Sequence, residues 1–360
     1  MIDDSRHTTG PRDDSRIPVT VITGYLGSGK TTLLNELLQH AQLARTFVLF
    51  NEYGEIPIDH QLVRQVSDRI AIMPSGCLCC QVHGELLSAL TDLFRRALRR
   101  EIPRPERVVL ETSGLADPGP IIQTLHTDFF LRARFRLDAV LTVVDGLHLP
   151  QQLETAPEVM SQITAADALL VSKLDLTDPG RFEQAEISLR RLNPLAEILR
   201  VGQAAAEPDR LLRERFHAPA QPTFTALAAD DDTSGPAATP WLTGHDRHDA
   251  AVRSVCLRLG QPVSWADLRA GFDRLQEEAG EALLRAKGIL TVRGREAPVV
   301  IHAVHHQFHT AEASNPNIDP ALLGKLVFIT RNLPEQRLTE LLGEHLLATE
   351  PQAAAADAKS

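Results

Sequence analysis

Short runs of β-branched and aliphatic residues recur through the first part of the chain, each bounded by polar or turn-forming positions. "IPVTVITGY" (17–25), "TFVLFNEY" (46–53), "RIAIMP" (69–74), "RVVLETSG" (107–114), "DAVLTVVDG" (138–146), "DALLVSKLD" (167–175) and "AEILRV" (196–201) have the length and hydrophobicity of buried strands. Between most of them the apolar period becomes helical. "KTTLLNELLQHA" (30–41) repeats Leu at helical spacing, and "HGELLSALTDLFRRALRR" (83–100) puts Leu86, Leu90, Leu93, Phe94 and Ala97 on one stripe. "RFEQAEISLRRLN" (181–193) does the same more weakly. Apolar strands alternating with helices predict an α/β domain: a mostly parallel sheet covered by helices on both faces.

The pattern changes at about 203–250, where "AAAEPDR", "HAPAQPT" and "ADDDTSGPAATP" are rich in Ala, Pro, Asp and small residues, as in linkers and loose loops. A second ordered unit follows. "VRSVCLRLG" (252–260) predicts a strand, and Ser264 can cap a helix whose periodicity is read through 264–288. "ILTVRG", "APVVIHAVHHQFH" and "KLVFITRNL" predict further strands, and "PEQRLTELLGEHLL" (334–347) a closing helix. Read as one strand, 301–309 places His302 and His306 on the face of Phe308, with His305 and His309 on the other. The expected organisation is a disordered tail over 1–16, an α/β domain over 17–225, a linker over 226–250, a smaller α+β domain over 251–349 and a disordered tail over 350–360.

A length of 360 residues agrees with two domains, and 43% hydrophobic residues suffice for ordinary cores. Aromatic residues are only 4%, so Leu, Val, Ile and Ala must fill those cores. A net charge of −10 disfavours general nucleic-acid binding, which needs Lys and Arg to neutralise phosphate. The basic stretch "RRALRRE" (95–101) reads as the solvated face of a helix. No apolar run approaches the ~20 residues that cross a bilayer, and "MIDDSRHTTGPRDDSR" has no apolar segment of a secretory signal. Neither nucleic acid nor membrane is therefore an expected partner. Clustered cysteines without a spread disulfide framework fit a reducing compartment, so a cytoplasmic location is expected.

Candidate chemistry begins at "GYLGSGKTT" (24–32), which matches G-x-x-x-x-G-K-[ST] through Gly24, Gly29, Lys30 and Thr31, after a strand and at the start of a helix. Glycines let backbone N–H groups face inward as an anion nest, and the helix N-terminus adds partial positive charge. Lys30 is placed to reach β- and γ-phosphates, and Thr31 to offer a hydroxyl to Mg²⁺. "SKLD" (172–175) resembles the base motif of GTPases. Asp175 would accept from guanine and the Lys173 stem would pack over the base, while Ser172 stands where Asn or Thr is usual. "VVLETSG" (108–114) ends a hydrophobic strand in an acid. Glu111 is a candidate for a Mg²⁺ water or the attacking water, and Gly114 for sensing the γ-phosphate. Asp145 of "VVDG" is a second acid at a strand end.

Three of the four cysteines, Cys77, Cys79 and Cys80, fall in "GCLCC" (76–80). Thiolates suit soft or borderline ions such as Zn²⁺ and Cu(I). A closed structural zinc site takes four ligands, usually as two separated pairs, and no second pair is present. The residues thus point to an open, exchangeable metal site or to a redox pair. Glu52, Glu55 and Asp59 in "NEYGEIPID" (51–59) are acids that can complete a metal sphere, and Cys256 reads as a small buried side chain in a strand.

Taken in order, "GYLGSGKTT", "NEYGEIPID", "GCLCC", "ETSGLADP", "VVD" and "SKLD" resemble the CobW family of GTPases, metallochaperones related to the urease and hydrogenase accessory GTPases. "LLRAKGILTVRGREAPVVIHAVHHQFH" with "KLVFITRNL" is similar to that family's C-terminal domain. The resemblance implies binding of GTP and Mg²⁺, slow GTP hydrolysis, and zinc (Zn²⁺) held by Cys77, Cys79 and Cys80 with Glu52. It also assigns Gly27, Ser28, Gly29, Lys30, Thr31 and Thr32 to phosphates and Mg²⁺. The implied function is delivery of zinc to client metalloproteins by a monomer or nucleotide-dependent homodimer, with metal affinity gated by nucleotide. Alternatives are insertion of cobalt (Co²⁺) or iron for cobalamin synthesis or nitrile hydratase, a sensor or storage module with weak GTPase activity, and a small-molecule kinase.

Overall fold

The structure, a computed structural model, describes residues 15–50, 70–72, 80–212, 252–304, 307–312 and 323–348. Seven parallel strands form the first sheet: β1 (Ile17–Thr23), β2 (Thr46–Phe50), β3 (Ile70–Ile72), β4 (Arg107–Glu111), β5 (Phe135–Asp145), β6 (Ala168–Ser172) and β7 (Glu197–Arg200). Their order is β3-β2-β4-β1-β5-β6-β7, so β1 lies at the centre between β4 and β5. Each apolar run predicted to be a strand is one.

Helices cover both faces, as the alternating pattern predicts. On one side α2 (Cys80–Leu98), α3 (Gly119–Thr127) and α4 (Phe129–Arg134) put Leu86, Leu90, Ile121 and Leu131 into a core with Val19, Val108 and Phe135. On the other, α1 (Lys30–Leu38), α8 (Val201–Ala206) and α9 (Pro208–Leu211) pack Leu33, Leu37, Ala205 and Leu211 against Ile22, Val109 and Leu141. A third cluster joins β6 to α5 (Leu149–Thr155), α6 (Pro157–Ala165) and α7 (Arg181–Leu192) through Val159, Ile163, Leu169 and Leu189.

The second sheet is antiparallel, in the order β11-β10-β9-β12-β8. Its strands are β8 (Val252–Arg258), β9 (Leu283–Leu290), β10 (Val299–Val304), β11 (Gln307–Glu312) and β12 (Lys325–Arg331). One face carries α10 (Trp265–Ala279) and α11 (Glu335–Leu342) over Leu257, Ala286, Ile301 and Phe328. The opposite face packs Leu284, Val300, Val327 and Ile329 against Leu195 of the first unit. The Cys256 side chain borders that cluster, and burial pushes its thiol up against the opposing pull of Lys325 and Arg258, as befits a packing residue.

Two expectations for this unit are corrected. The helix capped by Ser264, whose side chain accepts from the Asp267 N–H, ends at Ala279 rather than running to 288. Residues 283–290 are instead a strand buried at every position. Arg285 and Lys287 are hidden there against the first unit, so the charges that imitated a solvated helix face are internal. The run 297–309 is two antiparallel strands, not one. Its register sets His302 opposite His309 and Lys287, and Phe308 opposite Ala303, so Phe308 lies away from His302 and stacks near Phe272 at 4.2 Å between centroids. His305 and His306 lie outside the described residues, as do 1–14 of the predicted N-terminal tail, the linker 226–250 and the tail 350–360.

Candidate nucleotide-binding site

The loop after β1 and the start of α1 lie at the carboxyl end of the parallel sheet, where open α/β sheets bind ligands. Gly24 has φ +144°, and a Cβ there would sit 2.3 Å from the Val143 carbonyl oxygen on β5. Only glycine lets the loop turn this close to the neighbouring strand. Lys30 is buried, and its ammonium donates to the carbonyls of Gly24 at 2.9 Å and Tyr25 at 3.2 Å, which draws the loop around its own cation. Ser28 is buried while Gly27 and Thr32 are exposed, so the loop presents one lip to solvent.

One acid, Glu111, closes the site from behind. Glu111 ends β4 beside β1, is buried, and accepts from the Thr31 hydroxyl at 2.7 Å. The two residues predicted to face Mg²⁺ are therefore in contact although 80 positions apart. The strand is fixed alongside by the Thr112 hydroxyl donating to Thr23 Oγ1 at 2.8 Å. Gly114 then meets the phosphate loop: a Cβ on it would lie 2.7 Å from the backbone nitrogen of Leu26. This close approach explains glycine at 114 and ties the loop after β4 to the phosphate loop.

The base motif is joined to the same loop. Ser172 ends β6, and its hydroxyl donates to the Ser28 carbonyl at 2.6 Å, with Val144 O at 3.1 Å. Ser172 thus serves as a strut for the phosphate loop. Lys173 follows with φ +56°, and its ammonium donates to Asp145 Oδ2 at 2.7 Å. Asp175 lies within a short 3₁₀ turn (Leu174–Leu176) and is exposed.

Asp145, whose role the sequence leaves open, is an anchor. Its Oδ1 accepts from the backbone N–H groups of Leu147 and His148 at 3.0 and 3.1 Å, and its Oδ2 also meets His148 Nδ1 at 3.0 Å. Burial pushes this carboxyl up, but the hydrogen bonds from Lys173 and His148 outweigh it and hold the group below its ordinary value.

Sequence reading missed Gln162. This α6 side chain is buried, and its amide donates to the carbonyls of Gly114 at 3.1 Å and Ala116 at 3.0 Å. The available signal was an amide beside the buried stripe Val159, Met160 and Ile163.

Of the predicted metal ligands, Glu52, Cys77 and Cys79 lie outside the described residues, as do Glu55 and Asp59. Cys80 is the first residue of α2. Among the described residues no group of three or more His, Cys, Asp and Glu is placed to hold a metal ion, and no helix is long and apolar enough to cross a membrane.

Residues 18–200 match the family model of the CobW/HypB/UreG nucleotide-binding domain, and 252–346 that of the cobalamin synthesis protein cobW C-terminal domain. Zinc chaperone YjiA of Escherichia coli is 30% identical over 328 residues, covering 89% of this chain and 96% of that one. Zinc chaperone CobW of a Sinorhizobium species is 29% identical over 82% of this chain and 88% of its own. The crystal structure of the Zn(II)-bound YjiA GTPase superposes with a TM-score of 0.64 at 26% identity, covering 91% of this chain and 98% of that one.

Proposed function

The chain belongs to the CobW/HypB/UreG family of nucleotide-binding proteins, and from that premise we propose that it is a GTP-dependent zinc chaperone: a GTPase that binds zinc and hands it to client metalloproteins in the cytoplasm. The observation that carries the GTPase half is the 2.7 Å hydrogen bond from Thr31 to Glu111 directly behind the phosphate loop. A hydroxyl and a carboxylate meeting there are the donor set for Mg²⁺ beside bound phosphates, and their fit is good. Mg²⁺ supplies neutralisation of the charge that develops on the β- and γ-phosphate oxygens.

The chain's own residues do the rest. Backbone N–H groups of Gly27, Ser28, Gly29, Lys30 and Thr31 cradle the phosphates, with Thr32 beside them, and the Lys30 ammonium takes up the charge of the γ-phosphate. Glu111 would stand with Thr31 at the Mg²⁺ position, and the Gly114 N–H registers the γ-phosphate from a loop already packed on Leu26. Asp175 accepts from guanine. Ser172 keeps the base and phosphate segments in register through the Ser28 carbonyl.

The zinc half rests on donor chemistry and on the relatives, which are zinc chaperones by name. Cys77, Cys79 and Cys80 with Glu52 would supply an S₃O donor set suited to a borderline ion, and a site short of four thiolates can release what it takes. Cobalt fits the same donors; the relatives favour zinc. The segment from 51 to 80 joins the end of β2 to the start of α2, so it runs from the nucleotide end of the sheet to the cysteines. In this reading the nucleotide state sets the affinity of these ligands for zinc.

GTP turnover by the full chain tests the GTPase reading. Lys30→Ala is expected to lower it by at least about 100-fold, and ATP is expected to compete poorly. Turnover indifferent to that change, or equal with ATP, overturns the reading.

A further inference from the structure

Gln162 spends both protons of its side-chain amide on one loop. The acceptors are the carbonyls of Gly114 and Ala116, on either side of the exposed Leu115. The nitrogen of that amide has no third proton to give. Any rotation of the loop therefore breaks a buried hydrogen bond, at about 1–3 kcal/mol, or carries Gln162 and its helix along.

That helix, α6, is held at its other end by the second unit. Arg285 of β9 is fully buried, and its guanidinium donates to the carbonyls of Ala166 at 2.5 Å and Thr164 at 3.4 Å while pairing with the Asp167 carboxylate. Asn193 donates to Ile163 O at 2.7 Å and Ala166 O at 2.9 Å, closing the last turn from a third side. The terminal carbonyls of a helix need such partners, and a cation there is favoured by the helix dipole. Asp167 is itself fixed to β5 by the Val140 N–H at 2.9 Å. One nine-residue helix thus has the loop after β4 at its middle and the second sheet at its end.

We infer that Gln162 is a positioning residue for GTP hydrolysis, and that through α6 and Arg285 it transmits the state of the 112–117 loop to the C-terminal sheet. The inference rests on the GTPase reading above. Gln162 touches no reacting atom. It sets where the Gly114 N–H stands by holding the next peptide's carbonyl.

The test uses the full chain with GDP and with a non-hydrolysable GTP analogue. Gln162→Met keeps the side-chain length and removes both donors. Its kcat is expected to fall about tenfold with GDP affinity within about twofold, because GDP has no γ-phosphate for the loop to meet. Gln162→Asn, too short for both carbonyls, is expected to fall between the two and serves if the Met variant does not fold. In the wild type, amide hydrogen exchange over residues 283–290 is expected to differ between the two nucleotides. Arg285→Lys keeps the charge for Asp167 but not the fork that spans two carbonyls; it is expected to abolish that difference and leave turnover within about twofold. Equal exchange in the wild type, or wild-type kcat in both Gln162 variants, overturns the inference while the GTPase reading stands. A wild type that turns over no GTP overturns both.

Discussion

Two buried carboxylates lie at opposite ends of the parallel sheet and do opposite things. Glu111, at the carboxyl end of β4, shares a hydrogen bond with the Thr31 hydroxyl beside a loop whose Gly27 and Thr32 are exposed. Asp167, just before the amino end of β6, is surrounded by the Arg285 guanidinium, the Val140 N–H and, at 3.8 Å, the Lys287 ammonium. In the proposed reading the first faces Mg²⁺ and phosphate; the second is paired with Arg285 and Lys287. A carboxylate that meets a hydroxyl beside a phosphate-type loop is placed for chemistry, and one paired with fixed cations in the interior is a clamp.

The largest effect that would break this contrast is on stability. Asp167→Ala leaves a buried guanidinium without its counter-charge and is expected to cost about 3–5 kcal/mol in urea unfolding. Glu111→Gln is expected to cost about 1 kcal/mol while stopping most GTP turnover. Equal stability losses in the two variants would erase the distinction.

A smaller effect sharpens it from a third acid. Asp145 is held below its ordinary value by Lys173 and His148 in spite of burial. The unfolded chain then takes up a proton first as pH falls, so Asp145 contributes stability that is fully present above the ordinary aspartate value of about 3.9 and is lost as pH drops through the lower folded value. Asp145→Asn is expected to flatten the acid limb of stability against pH in that window. An unchanged limb would show that the Lys173 and His148 contacts do not hold the charge.

These three acids also mark what the sequence could reveal. Glu111 was legible because it ends an apolar run in a chain with a phosphate loop, and the central strands of the parallel sheet were legible for the same reason: β1, β2, β4, β5 and β6 are buried almost throughout and read as unbroken apolar words. Asp145 was seen but not understood, since its partners are a turn and a lysine 28 positions on. Asp167 was not singled out. Its pair with Arg285 spans 118 positions and leaves no period, and Arg285 fell inside a run read as helical. The helix ends before Gly280, short of the periodicity read through 264–288. The hairpin within 297–309 was missed because two strands of even alternation read as one. Gln162 escaped because a glutamine in a helix is ordinarily solvated, and only the fold brings it under Gly114.

The central claim is that the nucleotide held by the loop at 24–32 sets the grip on zinc. Zinc titration of the full chain, loaded in turn with GDP and with a non-hydrolysable GTP analogue against a competing chelator, tests it directly. Affinities at least about tenfold apart, or about 1.4 kcal/mol of coupling, are the predicted result. The same zinc affinity in both states would contradict it.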